Sequence, residues 1–181
     1  MKRGISMISV CMLSISIWIS SCKKEDNHDH EGELITTVQV KLKDKSTNVI
    51  NMYTWKDVDG DGGNTPVIQP ITLSASKTYE VELDFLDESK NPAEDITEEI
   101  RAEADDHEVF YQLSNALVII TRTDKDTKNL PLGLKADLVT SGSGSATLTV
   151  ILKHKPGTKA AGDNAIKGES DIEVSFPLTV N

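Results

Sequence analysis

Cysteine is scarce in this sequence, which has two cysteines among 181 residues. Cys11 lies within an apolar run near the start of the chain, and Cys22 follows shortly after that run. If the segment before Cys22 is removed, a single cysteine is left and an intramolecular disulfide is excluded. The remaining 181 − 21 = 160 residues are enough for one domain with a sizeable core. The stability of that domain must then come from core burial or from a bound metal ion.

Basic residues are also few, since 19 Lys and Arg stand against 29 Asp and Glu, a net charge of −10. Removal of the first 21 residues takes away Lys2 and Arg3, which leaves a charge of 17 − 29 = −12. A surface this acidic repels nucleic acid and anionic membrane faces, and it attracts cations. Nucleic acid is therefore excluded as a partner.

The motifs of several enzyme classes are missing. The sequence has no strand-turn-helix nucleophile elbow, no glycine-rich phosphate loop and no helix with the paired histidines of a zinc protease. Of its two tryptophans, Trp18 lies in the leading segment, which leaves Trp55 as a single platform for stacking a sugar. A hydrolase that uses a pair of carboxylates in a cleft leaves no signature in sequence and is the weakest option. The sequence predicts a protein that is not an enzyme.

The start of the chain has the arrangement of a secretory signal peptide over residues 1–21. Lys2 and Arg3 lead into an apolar run of about sixteen residues that ends in small serines. The alternative is a membrane-spanning helix, for which the run is shorter than the roughly 20 residues needed. Ile19-Ser20-Ser21-Cys22 resembles the bacterial lipobox, in which the signal is cut before the cysteine and the sulfur carries lipid. We predict that Cys22 is lipidated and attaches the protein to a membrane.

The segment 22–33 is polar and has no apolar periodicity, so we predict a flexible tether. Its lysines at 23 and 24 followed by acidic residues resemble the surface-export signal of Bacteroidota lipoproteins. That resemblance implies an outer-membrane protein that faces the outside of the cell, with the periplasmic face as the alternative. His28 and His30 alternate with acidic residues, a composition that captures transition metals.

Beyond residue 33 the apolar residues mostly alternate with polar ones, which is typical of strands with one buried face. Tyr79–Phe85 and Ala146–His154 are the clearest cases. Asp95 precedes apolar residues at intervals of four, which predicts one helix of about ten to twelve residues. We predict a single domain over 34–181, an antiparallel β-sandwich of eight or nine strands with one short connecting helix, immunoglobulin-like in a loose sense. A small barrel is the alternative.

Two regions allow more specific predictions of strand pairing. Val67–Leu73 reads as one strand that Pro70 interrupts, and a proline is tolerated only at an edge or a bend. Val109–Leu113 and Ala116–Thr123 read as a hairpin that turns at Ser114-Asn115.

An acidic segment between two predicted strands resembles the first half of a calcium loop. Asp57, Asp59 and Asp61 alternate, and a glycine follows the third of them. Oxygens at positions one, three and five of such a loop converge on Ca²⁺, and glycine at position six permits the sharp turn. The closing carboxylate is missing, because position twelve is Ile68. The alternative is a plain acidic turn, since Asp and Gly tolerate positive φ.

Two histidines lie where predicted elements end. If the helix reaches His107, then Glu99, Glu103 and His107 share one of its faces. His154 lies at the end of a strand, on the same face as the predicted core residues. We predict that His107 and His154 meet at the rim of the sandwich and bind Zn²⁺ or Cu²⁺, with Glu103 as a third ligand. The alternatives are a helix cap for His107 and a hydrogen-bonded rim residue for His154.

Several segments together resemble one family, over nearly the whole chain after Cys22: Leu34–Val38, Asp57–Asn64, Glu94–Ile100, Glu103–His107 and Glu169–Val174. They are similar to the small flavobacterial lipoproteins often labelled type 1 periplasmic binding fold superfamily proteins. The family pattern includes the acidic loop, a histidine at a helix end and a strand-end Leu-basic-His, so the resemblance implies that His107 and His154 act as a pair. The label implies an α/β receptor fold, whereas the strand pattern of this chain predicts a β fold.

The sequence therefore predicts an outer-membrane lipoprotein, not an enzyme, that binds a metal ion or a small ligand. Its predicted partner is a TonB-dependent uptake receptor, which it serves as an accessory. The alternative is a structural or adhesive β-sandwich that binds a protein or a glycan.

Overall fold

The computed structural model of this chain describes residues 34–60 and 62–181. The predicted signal peptide, the lipidation site Cys22, and His28 and His30 of the tether lie outside the described residues, as does Asp61. The predicted boundaries of the signal and the tether therefore stay predictions. The described residues fall in one compact unit. Within that unit, no helix has both the length and the apolar character needed to span a bilayer.

Strands dominate the described ranges, which contain eleven strands and one helix. In chain order these are β1 Thr37–Asp44, β2 Ile50–Lys56, β3 Val67–Ile68, β4 Ile71–Leu73, β5 Thr78–Asp87, β6 Glu94–Asp95, α1 Ile96–Ala102, β7 His107–Leu113, β8 Val118–Arg122, β9 Lys135–Thr140, β10 Gly144–His154 and β11 Glu169–Val180. Three of the strands have two or three residues, so 11 − 3 = 8 are longer.

The strands form two separate sheets. The first has the order β3-β2-β1-β5-β9-β8, with β6 added beside β5, and the second has the order β4-β11-β10-β7. All of these pairs are antiparallel except β11 with β4, which is parallel. The predicted antiparallel β-sandwich with one short connecting helix is confirmed, and the strands do not close into the single barrel that was the alternative.

The core lies between the two sheets and follows the period-two pattern of the sequence. Val38, Val40 and Leu42 on β1 are fully buried, while the residues between them are more exposed. Phe85 on β5 and Phe176 on β11 are fully buried aromatic side chains of this core, one from each sheet. Alternation along a strand places successive side chains on opposite faces, which is why this pattern predicted the core residues.

The segment around Pro70 joins the two sheets. β3 belongs to the first sheet and β4 to the second, so Val67–Leu73 is two strands instead of one. Pro70 lies between them, where it has no ladder hydrogen bond to donate. The predicted bend at Pro70 is confirmed, and the prediction of a single strand is wrong.

The predicted hairpin of β7 and β8 is also wrong. β7 pairs with β10 in the second sheet, and β8 pairs with β9 in the first. Val109 on β7 and Val118 on β8 are both buried in the core between the sheets. Val109 enters the core from the second sheet and Val118 enters it from the first. The short connection between them therefore crosses from one sheet to the other.

The helix α1 begins as predicted but ends early. Asp95 is its N-cap and accepts a hydrogen bond from the Thr97 backbone N–H at 3.0 Å. The helix has seven residues, and Glu103 is its C-cap. His107 is the first residue of β7, so the prediction of one helical face with Glu99, Glu103 and His107 is wrong.

Contacts from a distant segment explain the early end of α1. The Asp106 carbonyl accepts a hydrogen bond from the Lys155 N–H at 2.6 Å, and the Asp106 carboxylate accepts one from the Gly157 N–H at 3.1 Å. These bonds hold residue 106 beside the residues that directly follow β10. The chain therefore leaves the helix here and enters β7. A sequence window that contains only the helix holds no information on this contact.

Thr97 joins α1 to β5, and we expect Thr97→Val to lower the free energy of unfolding by about 1–3 kcal/mol. The Thr97 side chain is buried, and its hydroxyl accepts from the Phe85 N–H at 2.9 Å and lies 3.3 Å from the Phe85 carbonyl. Valine has the same shape but leaves a buried N–H without its acceptor. Urea unfolding measures the change. Thr121→Val, on an exposed strand position, is the control and should change stability by less than about 0.5 kcal/mol; equal effects of the two changes would contradict the prediction.

Candidate metal centre

The two histidines lie opposite each other on neighbouring strands. His107 begins β7 and His154 ends β10, and antiparallel pairing makes them direct partners in the ladder. Their rings stack with centroids 4.8 Å apart and planes inclined by 19°. The sequence predicted that this pair would meet at the rim, and the structure brings it together within a single sheet.

Both histidines are on the core side of the sheet, at one end of the sandwich. His107 is in phase with the buried Val109, and His154 is in phase with Val150 and Leu152. His107 is buried, with 3% of its surface exposed, whereas His154 is partly exposed. The pair therefore closes the end of the core and remains accessible from outside.

Glu103 joins the pair although α1 ends before it. The turn after the helix keeps one helix-like bond, from the His107 N–H to the Glu103 carbonyl at 3.2 Å. One donor atom from each of Glu103, His107 and His154 lies within 4.8 Å of the other two. Metal ions are commonly held by three or more His, Cys, Asp or Glu side chains. Among the residues that the structure describes, Glu103, His107 and His154 form the one such group whose donor atoms are this close.

The surroundings of His107 determine the protonation of its two ring nitrogens. His107 Nδ1 lies 3.2 Å from the Glu103 backbone carbonyl, which can only accept, so Nδ1 carries a proton. Burial lowers the pKa of His107, which keeps the ring neutral near pH 7. Nε2 then has a free lone pair, the form in which histidine binds metals, and the carbonyl fixes the direction of the ring.

Asp171 is a fourth group at this centre that the sequence did not predict. Its Oδ2 atom lies 3.9 Å from His107 Nε2, and its side chain is 13% exposed. Oδ2 is buried and has no hydrogen-bond partner among the described residues. Burial raises the pKa of Asp171 to about 6, because a carboxylate loses solvation there without gaining a donor.

A β-bulge explains why the pattern of β11 hides Asp171. Val174 and Phe176 face the core, so strict alternation places residue 171 on the outer face. The pairing of β11 with β10 is irregular here, since Leu152 pairs with Ile172 but Lys153 pairs with Ser170. Asp171 is therefore the extra residue of a bulge, a feature that changes the direction of a side chain.

A buried charge network adjoins the histidine pair. Lys155 is fully buried, and its Nζ lies 2.7 Å from Glu108 Oε2 and 2.9 Å from Asp163 Oδ2. Arg122 holds the other oxygen of Glu108 at 2.7 Å. The hydrogen bond from Lys155 lowers the pKa of Asp163 to about 2. Because Glu108 follows His107 and Lys155 follows His154, this network fixes the strand ends that carry the histidines.

The acidic loop forms a turn between β2 and β3 that uses its carboxylates internally. Asp57 Oδ1 accepts from the Gly60 N–H at 3.0 Å, and Asp59 Oδ2 accepts from the Asn64 N–H at 3.0 Å. The hydrogen bonds from Asn64 lower the pKa of Asp59. A Cβ on Gly63 would lie 2.5 Å from Asp59 Cγ, so a larger residue there would displace the Asp59 side chain. Because Asp61 is not described, calcium binding by this loop stays a prediction.

A cleft of about 600 Å³ lies beside the acidic loop and the start of β11. Trp55, the one tryptophan that follows Cys22 in the sequence, lines this cleft. Its acidic lining consists of Asp57, Asp171 and Glu173, and no basic side chain of the described ranges lines it. Asp171 therefore lies between the cleft and the histidine pair.

Comparison with protein-family models, with curated proteins and with solved structures found no match. The resemblance to the flavobacterial lipoproteins stays a prediction. The observed β-sandwich differs from the α/β receptor fold that the label of that family implies.

Proposed function

We propose that this protein is a lipid-anchored outer-membrane protein, not an enzyme, that binds one transition-metal ion, Zn²⁺ or Cu²⁺. Glu103, His107 and His154 are the ligands. The observation that supports this proposal is the approach of their donor atoms to within 4.8 Å of one another. Attachment through Cys22 rests on the signal-like sequence before it, and the acidic surface favours cations.

The spacing of the three donors is close to what one ion requires. With bonds of about 2.0–2.1 Å, two ligands of one ion lie at most about 4.2 Å apart and about 3.4 Å apart in a tetrahedron. The observed limit of 4.8 Å exceeds this range by a small margin. Glu103 is exposed, so a change of its side-chain rotamer can bring its carboxylate closer without moving the sheet.

The donor types select the class of ion. Two imidazoles and one carboxylate suit Zn²⁺ and Cu²⁺. Ca²⁺ takes six to eight oxygen ligands and is not expected to bind at the histidine pair. In the proposed role, the protein holds the ion at the cell surface as an accessory to a TonB-dependent receptor. The adhesive alternative would use the cleft beside Trp55 and would need no metal at the rim.

Equilibrium dialysis of the full chain in detergent tests the proposal. We expect the wild type to bind Zn²⁺ and Cu²⁺ at the rim and the His107→Ala/His154→Ala variant to lose that binding by at least about 100-fold. The matched control is the His28→Ala/His30→Ala variant, which removes the two histidines of the tether and should keep the rim site. Dialysis with Ca²⁺ should give the same result for the wild type and both variants.

Two outcomes would contradict the proposal. One is equal, negligible uptake of Zn²⁺ and Cu²⁺ by the wild type and the rim variant. The other is undiminished uptake by a rim variant whose circular dichroism and urea unfolding show that it is folded.

A further inference from the structure

The Oδ2 atom of Asp171 is a buried acceptor without a donor. Buried polar atoms are hydrogen-bonded in the large majority of cases, so each exception requires an explanation. Lys153 is a cation whose charge acts on Asp171, but its ammonium donates to the Gly168 carbonyl at 3.1 Å and to the Ser170 hydroxyl at 2.8 Å. Lys153 therefore satisfies other acceptors.

The atom that faces Asp171 Oδ2 makes the arrangement more unusual. His107 Nε2 lies 3.9 Å away, and its ring donates through Nδ1 to the Glu103 carbonyl. In the neutral ring Nε2 is an acceptor. With the ring neutral and the carboxyl ionised, two buried acceptors thus lie 3.9 Å apart, and their lone pairs repel unless a proton or a metal cation lies between them.

The distance of 3.9 Å between His107 Nε2 and Asp171 Oδ2 suits a shared ion. It lies between the spacing of about 3.4 Å for two tetrahedral ligands and the maximum of about 4.2 Å for bonds of about 2.0–2.1 Å, so a shift of about 0.5 Å brings the two atoms to tetrahedral spacing. The β-bulge is needed for this approach, because regular pairing would direct Asp171 away from the core. Bulges are common next to functional sites, where they re-aim one side chain.

We propose that Asp171, which is not among the donors that lie within 4.8 Å of one another, turns toward the ion that His107 holds and becomes the fourth ligand of the metal centre, so that Glu103, His107, His154 and Asp171 form a closed tetrahedral Zn²⁺ site. This inference rests on the proposed function, because it adds a donor to the same ion. A site with four protein donors keeps no open position for water, which is the arrangement of structural zinc sites. The ion would connect β7, β10 and β11 to the turn after α1.

The test replaces the carboxylate and keeps its shape. In the His28→Ala/His30→Ala background, which removes the tether histidines, we expect Asp171→Asn to weaken Zn²⁺ binding by about 10-fold to 100-fold in a competition assay with a chromogenic chelator. Glu173→Gln is the matched control, since it removes a neighbouring carboxylate of β11 that also lines the cleft. It should bind Zn²⁺ as the parent does.

Replacing Zn²⁺ with Co²⁺ reports the number of ligands, because four-coordinate tetrahedral Co²⁺ absorbs visible light more strongly than Co²⁺ with five or six ligands. We expect strong absorption for the parent and for Glu173→Gln, and weaker, shifted absorption for Asp171→Asn. Unchanged affinity and absorption in Asp171→Asn would overturn the fourth ligand and leave the three-ligand proposal intact. A parent protein that binds neither Zn²⁺ nor Co²⁺ would overturn both.

Discussion

Replacing Lys155 with Met is expected to lower the free energy of unfolding by about 3 kcal/mol, at the lower end of the range for breaking a buried ion pair. Lys155 is fully buried between Glu108 and Asp163, and methionine keeps much of its apolar length without the charge. The change leaves the nearly inaccessible Glu108 with Arg122 as its remaining cation. The result is a buried negative charge with half of its compensation removed.

Lys167→Met is the matched control for this prediction. Lys167 also pairs with Asp163, at 3.4 Å, but it is 44% exposed. Exposed pairs contribute about 0–1 kcal/mol, so the control should change stability little. Urea unfolding of both variants, with a chelator present, measures the difference. Similar losses of unfolding free energy in the two variants would mean that the buried ion pairs of Lys155 stabilise the protein no more than the exposed pair of Lys167 does.

Adding Glu108→Gln to Lys155→Met should recover part of the lost stability. The double variant removes the partly compensated charge of Glu108 that Lys155→Met leaves, so the two changes are expected to be non-additive. A double variant whose loss equals the sum of the single losses would show that the two groups do not interact.

The second large effect is a dependence of stability on pH that Asp171 creates in the metal-free protein. Its pKa is about 6 in the folded protein against 3.8 ordinarily. Below about pH 4 the carboxyl is protonated in both states, and the folded state is not penalised. Between about pH 4 and pH 6 the unfolded chain releases the proton and the folded protein retains it. The unfolded state is favoured as pH rises through this window, so stability falls.

Asp171→Asn should remove this loss. We expect the metal-free variant to be more stable than the wild type at pH 7 by about 1–2 kcal/mol, after allowance for the part of the side chain that water reaches. The difference should shrink toward pH 4. His107 acts in the opposite direction, because its lowered pKa makes stability fall as pH drops below about 6.5. Both proteins retain His107, but it lies 3.9 Å from residue 171, so the comparison reports the titration of Asp171 together with its coupling to His107.

Urea unfolding of the two proteins between pH 4 and pH 8, with a chelator, measures the pH dependence. Stability curves that run parallel over this range would contradict a raised pKa at Asp171. If Asp171→Asn is instead less stable at pH 7, the carboxylate must have a favourable partner in solution. If Asp171 lowers the stability of the metal-free fold, its presence is better explained by ligand binding than by stability.

The fold could be predicted from the sequence where local periodicity determines the structure. The alternation in β5 and β10 identifies both strands and their buried faces, and Asp95 marks the start of α1. The pattern does not state which sheet a strand joins, which is why β7 and β8 were wrongly paired. The end of α1 depends on hydrogen bonds to Lys155 and Gly157, about fifty positions away in sequence.

The candidate site was predictable to a similar extent. His107 and His154 were identified because each lies at the end of an element, and the pairing of β7 with β10 brings them together. Glu103 was included for the wrong reason, a long helix, and the turn after α1 keeps it in place. Asp171 could not be predicted from the alternation of side chains along β11, because a bulge shifts the pattern by one residue there. The sequence carries no recognised signal for that bulge.

The register of β7 against β10 has a further consequence for folding specificity. It places His107 opposite His154, and it allows the next residues, Glu108 and Lys155, to form their ion pair. A slip by one position would turn Lys155 toward the apolar interior and leave Glu108 without that cation. A misaligned pairing therefore carries the cost of an unpaired buried Lys155 and of a buried Glu108 that keeps only Arg122. Without any bound ion, the charges beside the histidines disfavour the wrong strand alignment.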